Sequence, residues 1–281
     1  MATKRKSRKK TLREWEVLVC ALLILSIVVY IFIELRKPLP GTQGNPTLSS
    51  AEATLPPLRA NPIQPEDFVE KDNFLHCLTY PAVPGIDVSF WQGQIDWPQV
   101  KAAGVQFAMI RVGGRSSDQG SLFLDDCVQA NYNGASAAGL RIGAYFFSQA
   151  INPEEAVEEA EYLLAAIKNW KVDMPIVFDW EYISADARTG NVDARTLTDC
   201  AKAFCSTVAA AGYQPMIYFN TNQSFDSLYL AELANYPFWL AQYNDTLEYP
   251  YKIDMWQYTD QGSIPGINGY VDLNLYFPWE D

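Results

Sequence analysis

From Pro84 onward the chain repeats short runs of β-branched and aromatic residues: GIDVSFW (85–91), FAMIRVG (107–113), IGAYFFS (142–148), PIVFDWEY (175–182), MIYFN (216–220), FWLAQY (238–243), IDMWQYT (253–259) and VDLNLY (271–276). Runs of this length and composition predict eight strands. Stretches with helical patterning separate the first six, near 96–103, 122–138, 153–169, 194–211 and 223–233. The third, INPEEAVEEAEYLLAAI, offers Asn152 as N-cap, Pro153 at the first helical position and Glu155 for a capping box, with Val157, Ala160, Leu164 and Ile167 as its apolar stripe. After Tyr243 the gaps are too short, or too rich in Gly and Pro, for good helices. Five strand–helix pairs followed by three nearly helix-free strands predict an α/β fold, a modified TIM-like (β/α)5(β)3 barrel. Functional side chains in such barrels gather at the C-terminal ends of the strands.

The fourth run raises a question of chemistry. In VFDWEY, Asp179 and Glu181 are two positions apart and share one face of a strand, while Phe178, Trp180 and Tyr182 take the other. Two carboxylates on a half-buried face repel each other and lose water, at a cost of several kcal/mol. Asp87 on the first run and Asp272 on the eighth join them if the barrel closes, since closure makes those strands neighbours. Four crowded carboxylates keep at least one member protonated near neutral pH beside ionised partners, the pair of states that glycoside hydrolysis needs.

Other chemistries lack their parts. His76 is the single histidine, so a Ser-His-Asp triad, a Cys-His pair and a His-ligated zinc site have no candidate set. No P-loop or dinucleotide fingerprint is present. Carboxylates without histidine also suit Ca²⁺ or Mg²⁺, which is the chemical alternative; the leading reading requires neither metal nor cofactor. Trp91, Tyr145, Trp180, Tyr218, Trp239, Tyr243 and Trp256 surround the same strand ends, and Tyr145, Tyr218 and Trp239 have the polar neighbours expected of rings that stack on a sugar.

The N-terminus reads differently. Seven Lys or Arg residues between Lys4 and Arg13 precede Val17–Ile33, an uncharged apolar stretch of 17 residues. At about 1.5 Å per residue it is near the minimum for a bilayer core. The basic flank predicts a cytoplasmic N-terminus and an exported remainder. A cleaved signal peptide is the competing reading, but IFIELRK (31–37) has no small-residue cleavage site. The expectation is therefore a single-pass anchor in a bacterial cell membrane over residues 1–37, a Pro-rich spacer over 38–83 and an extracytoplasmic barrel domain over 84–281.

Residues 1–37 hold nine Lys/Arg against three Asp/Glu, so the remaining 244 residues carry −18 where the whole chain carries −12. Such acidity argues against nucleic acid as a partner. Cys77, Cys127, Cys200 and Cys205 are even in number, which permits disulfides without requiring them. A Cys77–Cys127 bridge is the pairing worth testing, because Cys200 and Cys205 on one helix point in different directions.

The ordered stretches DVSFWQ (87–92), RVG (111–113), GAYFFSQA (143–150), PIVFDWE (175–181), FWLAQY (238–243), MWQYTDQGSIPGI (255–267) and VDLN (271–274) resemble the motifs of the family 25 glycoside hydrolases, the Chalaropsis-type lysozymes. The resemblance spans about residues 84–281. It implies a modified barrel that hydrolyses the β-1,4 bond between N-acetylmuramic acid and N-acetylglucosamine, with peptidoglycan glycan strands as partner. Carried over by motif, it implies Glu181 as general acid, Asp179 as partner carboxylate and Asp87 and Asp272 as flanking carboxylates. Gln242 and Tyr243 of FWLAQY join Tyr145, Tyr218 and Trp239 as expected substrate contacts. Many members have histidine where this chain has Phe146. A wall-binding module without turnover and a hydrolase of another N-acetylated glycan are the alternatives.

Overall fold

The computed structural model describes residues 57–279. The expected tail and membrane helix (1–37) and the first part of the spacer (38–56) lie outside the described residues. Among the described residues no helix is long and apolar enough to cross a membrane.

A hairpin of β1 (Phe68–Lys71) and β2 (Phe74–Cys77) precedes the barrel strands β3 (Val83–Val88), β4 (Phe107–Arg115), β6 (Arg141–Ser148), β7 (Ile176–Trp180), β8 (Pro215–Asn220), β9 (Phe238–Ala241), β10 (Met255–Gly262) and β11 (Val271–Tyr276); β5 (Leu122–Leu124) pairs with β4 outside the ring. The ring closes because β3 pairs with both β4 and β11. Strands β3 to β10 of the ring run parallel, whereas β11 is antiparallel to both of its neighbours. The helices are α1 (Trp97–Ala102), α2 (Val128–Ala137), α3 (Pro153–Ile167), α4 (Ala194–Ala210), α5 (Thr221–Asp226) and α6 (Leu230–Leu233), so the expected (β/α)5(β)3 order holds.

Period-2 alternation divides the apolar residues into two cores. Phe107, Met109, Tyr145, Val177, Met216, Tyr218, Trp239 and Met255 pack together in the lumen. Their neighbours Ala108, Ile110, Phe146, Phe178, Trp180, Ile217, Phe219 and Trp256 belong to the outer core with the helices. Glycine makes room for the largest lumen groups: a Cβ on Gly85 would lie 2.3 Å from the Phe107 ring, and one on Gly143 2.3 Å from Met109 Sδ. Outside, α3 buries Ala156, Ala160, Leu163 and Ile167, one position away from the expected stripe at Val157 and Leu164. Asn152 caps it as expected, its Oδ1 accepting the Glu155 N–H at 2.9 Å.

Three local readings change. The helix expected from 122 begins at Val128, because Leu122–Leu124 is a strand. It lies so close over β4 that a Cβ on Gly113 would stand 2.1 Å from the Phe123 carbonyl oxygen. The helix expected over 223–233 is split into α5 and α6 around Ser227–Tyr229, where the Thr198 hydroxyl accepts the Tyr229 N–H at 3.0 Å.

The third change concerns the Pro-rich stretch, part of which belongs to the folded unit. Ile63, Phe74 and Leu75 are buried in the outer core, and Phe68 sets its ring edge-on to Trp256 at 4.9 Å. Apolar side chains between the prolines cover the outer face of β10, and a turn with positive φ at Asp72 and Asn73 joins the two hairpin strands.

All four described cysteines are free, including Cys77 and Cys127. Cys200 and Cys205 face the core from α4, where burial pushes the Cys200 thiol up to about 12.

Candidate active site

The barrel brings the four predicted carboxylates to one mouth. Asp87 sits near the C-terminal end of β3, Asp179 near that of β7, and Glu181 is the first residue beyond β7. Asp272 stands at the opposite end of its own strand, the N-terminal end of β11. Because β11 runs against the barrel, Asp272 still pairs with Asp87. All four line a cavity of about 420 Å³ together with Arg111, Tyr145, Tyr218, Trp239, Tyr243 and Gln257.

Asp87 is the most heavily bonded of the four. Its Oδ2 accepts from Gln257 Nε2 at 2.9 Å and from Asn274 Nδ2 at 2.8 Å. These amides are themselves held: Tyr218 and Tyr243 donate their hydroxyls to Gln257 Oε1 at 3.1 and 3.0 Å, and Trp239 donates its indole N–H to Asn274 Oδ1 at 2.9 Å. Burial raises the Asp87 pKa, and the hydrogen bonds from Asn274, Gln257 and Asp272 oppose that rise. Asp272 is pushed up to about 9 by burial, then by the Asp87 charge. It is therefore the proton-holding member of that pair at neutral pH.

Asp179 is buried, and its Oδ1 has no hydrogen-bond partner among the described residues. Burial and then the neighbouring Glu181 and Asp87 charges raise its pKa well above the ordinary carboxylate value, with Arg111 opposing. Glu181 is more open. Burial first and the Asp87 charge second raise its pKa, again against Arg111. The site thus holds two carboxyl groups with raised pKa values, the half-buried Glu181 and the buried Asp179, whose Oδ1 is unpartnered.

Arg111 is the cation of the site. Its Nε and Nη2 both lie 2.8 Å from Asp125 Oδ2, and Asp125 also accepts the Phe90 N–H at 3.0 Å. Asp125 therefore ties the arginine to the turn at Phe90–Gln92.

The aromatic residues separate into two groups. Tyr145, Tyr218 and Trp239 form the buried floor of the cavity, and Trp239 is only 2% exposed. Tyr218 and Trp239 hold the polar network, and all three rings are nearly covered where they line the cavity. The open rings are Tyr243, Phe123 and the pair Phe90 and Trp91, whose centroids are 4.4 Å apart and of which Trp91 is 74% exposed. Trp180 and Trp256 point outward, donating their indole N–H groups to the Ala150 and Gln242 carbonyls. Gln242 does not line the cavity; its side chain accepts the Glu248 N–H at 2.8 Å and ties down the loop after β9. Phe146 is also outward, edge-on to Tyr162 of α3, so the position where many family 25 members carry histidine lies away from the mouth.

Sequence reasoning did not single out Arg111, Asp125, Gln257 or Asn274. Arg111, Gln257 and Asn274 lie within RVG, MWQYT and VDLN, at inward positions by simple alternation from Met109, Met255 and Asp272. Asp125 gives no such signal, since it lies in a loop.

Residues 86–267 match the model of glycosyl hydrolases family 25. The chain is 29% identical over 204 residues to Lysozyme M1 of Streptomyces globisporus, covering 69% of this chain and 67% of that protein. It is 30% identical over 199 residues to the autolytic lysozyme of Clostridium acetobutylicum, covering 68% and 55%. The modular autolysin LytC of Streptococcus pneumoniae superposes with a TM-score of 0.63 at 25% identity, covering 75% of this chain and 52% of that one. The chain thus spans about half the length of the last two proteins. The match runs across the carboxylate-bearing strands β3 and β7, and the chain belongs to glycosyl hydrolases family 25 and is a glycoside hydrolase.

Proposed function

We propose that this protein is a peptidoglycan muramidase that hydrolyses the β-1,4 bond between N-acetylmuramic acid and N-acetylglucosamine. The observation that carries the reading is the pairing of Glu181, half-buried with a raised pKa, and Asp179, buried with a free Oδ1, at one cavity. Relatives named lysozyme and a pneumococcal autolysin solved with a synthetic peptidoglycan ligand support the substrate class.

In this mechanism Glu181 gives its proton to the glycosidic oxygen as the C–O bond breaks. The 2-acetamido carbonyl oxygen of the muramic acid residue bonds to its own anomeric carbon, and Asp179 accepts the acetamido N–H and steadies the developing positive charge. Water then adds at the anomeric carbon as the bond from the acetamido oxygen to that carbon breaks, which restores the acetamido group, and the water's proton goes to Glu181. Substrate assistance of this kind is an established alternative to a carboxylate nucleophile. Asp87, fixed by Gln257 and Asn274, and Asp272 hold the glycan and tune the pair. Phe90 and Trp91 supply the ring faces for stacking.

The same reading places the enzyme at the membrane of the cell that makes it, through the apolar stretch 17–33 and its basic flank. Incubating the full chain with a peptidoglycan suspension tests the activity: turbidity should fall, and binding without turbidity loss would indicate a wall-binding module. Fractionation tests the anchor, which activity in the culture medium rather than the membrane pellet would contradict.

A further inference from the structure

The residue on which the proposed chemistry rests, Glu181, is the first one past the end of β7. On one side the pairing of β7 with β6 runs to Ser148 and Trp180; on the other, its pairing with β8 runs to Asp179 and Tyr218. Beyond those points neither neighbour's backbone continues the ladder, and two glutamine side chains take over. Gln149, the residue after β6, donates Nε2 to the Glu181 carbonyl at 2.9 Å. Gln223 on α5, which follows β8, donates Nε2 to the Trp180 carbonyl at 2.7 Å. Successive carbonyls of an extended chain point to opposite sides, so one glutamine reaches in from each flank.

Both side chains are buried, and the Gln149 amide is braced at both ends. Gln149 Nε2 also donates to the Ser148 carbonyl at 2.8 Å, and its Oε1 accepts from the Thr189 hydroxyl at 2.9 Å. Its backbone is fixed too, the carbonyl by Arg188 at 2.7 Å and the N–H by Glu159 Oε1 at 3.3 Å. Gln223 is seated by its N–H on Asn220 Oδ1 at 2.9 Å. Burying an amide is costlier than burying an apolar side chain of the same size, and Gln223 bears that cost with its Oε1 unpartnered among the described residues, yet each amide donates to a carbonyl of the Trp180–Glu181 link.

We infer that Gln149 and Gln223 are positioning residues that prolong the β7 ladder past its end and thereby aim the Glu181 side chain at the glycosidic oxygen. Neither lines the cavity, so each acts through the backbone of Glu181. The inference rests on the reading of Glu181 as proton donor.

Burial first and the Asp87 charge second raise the Glu181 pKa against Arg111, and Asp179 of β7, Tyr218 of β8 and Asp272 of β11 feel the Glu181 charge in turn. A loosened Glu181 turns toward water and away from them, and its raised pKa relaxes toward the ordinary value. A merely structural role leaves that pKa in place.

The test uses Gln149→Met and Gln223→Met in the full chain, with kcat, KM and the pH dependence of kcat/KM measured on soluble peptidoglycan fragments. Since a misplacement of about 1 Å costs on the order of 100-fold, kcat should fall roughly 10- to 100-fold while KM stays within about twofold. The alkaline limb of the profile should move to lower pH. Unchanged kcat and an unchanged limb in folded variants overturn the inference, as does a lowered unfolding temperature with no shift of the limb. If Gln149→Met does not fold, Gln223→Met decides, because it removes a single bond to the link. Failure of both to fold assigns the glutamines to stability and also overturns it. An inactive wild type is a separate result: it overturns the muramidase reading itself, and the aiming role with it.

Discussion

Asp87 and Asp272 are directly paired across β3 and β11 although 185 positions separate them in sequence. The pairing depends on strand direction. Asp272 is the second residue of β11, and in a strand running with the others it would stand at the bottom of the barrel. The reversed β11 delivers it to the mouth, where burial and the Asp87 charge push its pKa up to about 9.

This pairing gives the protein a pH-dependent stability. The folded-state value of about 9 lies above the ordinary 3.8, so between them the folded protein keeps a proton that the unfolded chain has lost. The Asp272 contribution is full below about pH 4 and falls as pH rises toward about 9. Asp272→Asn, neutral throughout, should flatten the decline of the unfolding temperature over that range. A decline as steep as that of the wild type would remove Asp272 from this role.

Glu181→Gln keeps the shape of the acid and removes its proton. Turnover should drop by roughly 100- to 10,000-fold, with glycan binding and unfolding temperature preserved. Turnover near that of the wild type would take the general-acid role away from Glu181.

Asp179→Asn should also lower turnover strongly, because an amide cannot stabilise positive charge as the carboxylate does. De-N-acetylated glycan should be a poor substrate even for the wild type. Equal rates on acetylated and de-acetylated glycan, or a sugar ester trapped on Asp179, would replace acetamido assistance with water attack or covalent catalysis.

Two tryptophans at the cavity should behave differently. Trp91→Ala removes an open stacking face worth about 0.5–1.5 kcal/mol, which raises KM roughly 2- to 13-fold with little change in kcat. Trp239→Phe deletes the indole N–H that holds Asn274 and should lower kcat instead. Steady-state kinetics on soluble fragments separates the two, and a KM effect from Trp239→Phe would move that ring into the glycan contact.

The sequence made the strands legible because period-2 alternation and turn residues mark them locally. It also marked Asp179 and Glu181, since two carboxylates on an otherwise apolar strand are conspicuous. Strand direction leaves no such mark, so the reversal of β11 could not be read, only the closure that brings Asp272 to Asp87. The burial of Tyr145, Tyr218 and Trp239 depends on which rings the closed lumen covers, so the sequence placed them at the cavity without showing that they form its floor. Proline hid the β1–β2 hairpin, whose Phe74 and Leu75 gain their partners only once β10 is in place. Asp125 was invisible for a related reason: it acts from a loop, on an arginine 14 positions away.

The most direct test of the account is the chemical identity of the new reducing end. Purified peptidoglycan digested with the full chain is treated with borohydride, and the reduced amino sugar is identified by mass spectrometry. The wild type should yield reduced N-acetylmuramic acid and Glu181→Gln none. Reduced N-acetylglucosamine, or no reduced sugar from the wild type, would contradict the muramidase reading.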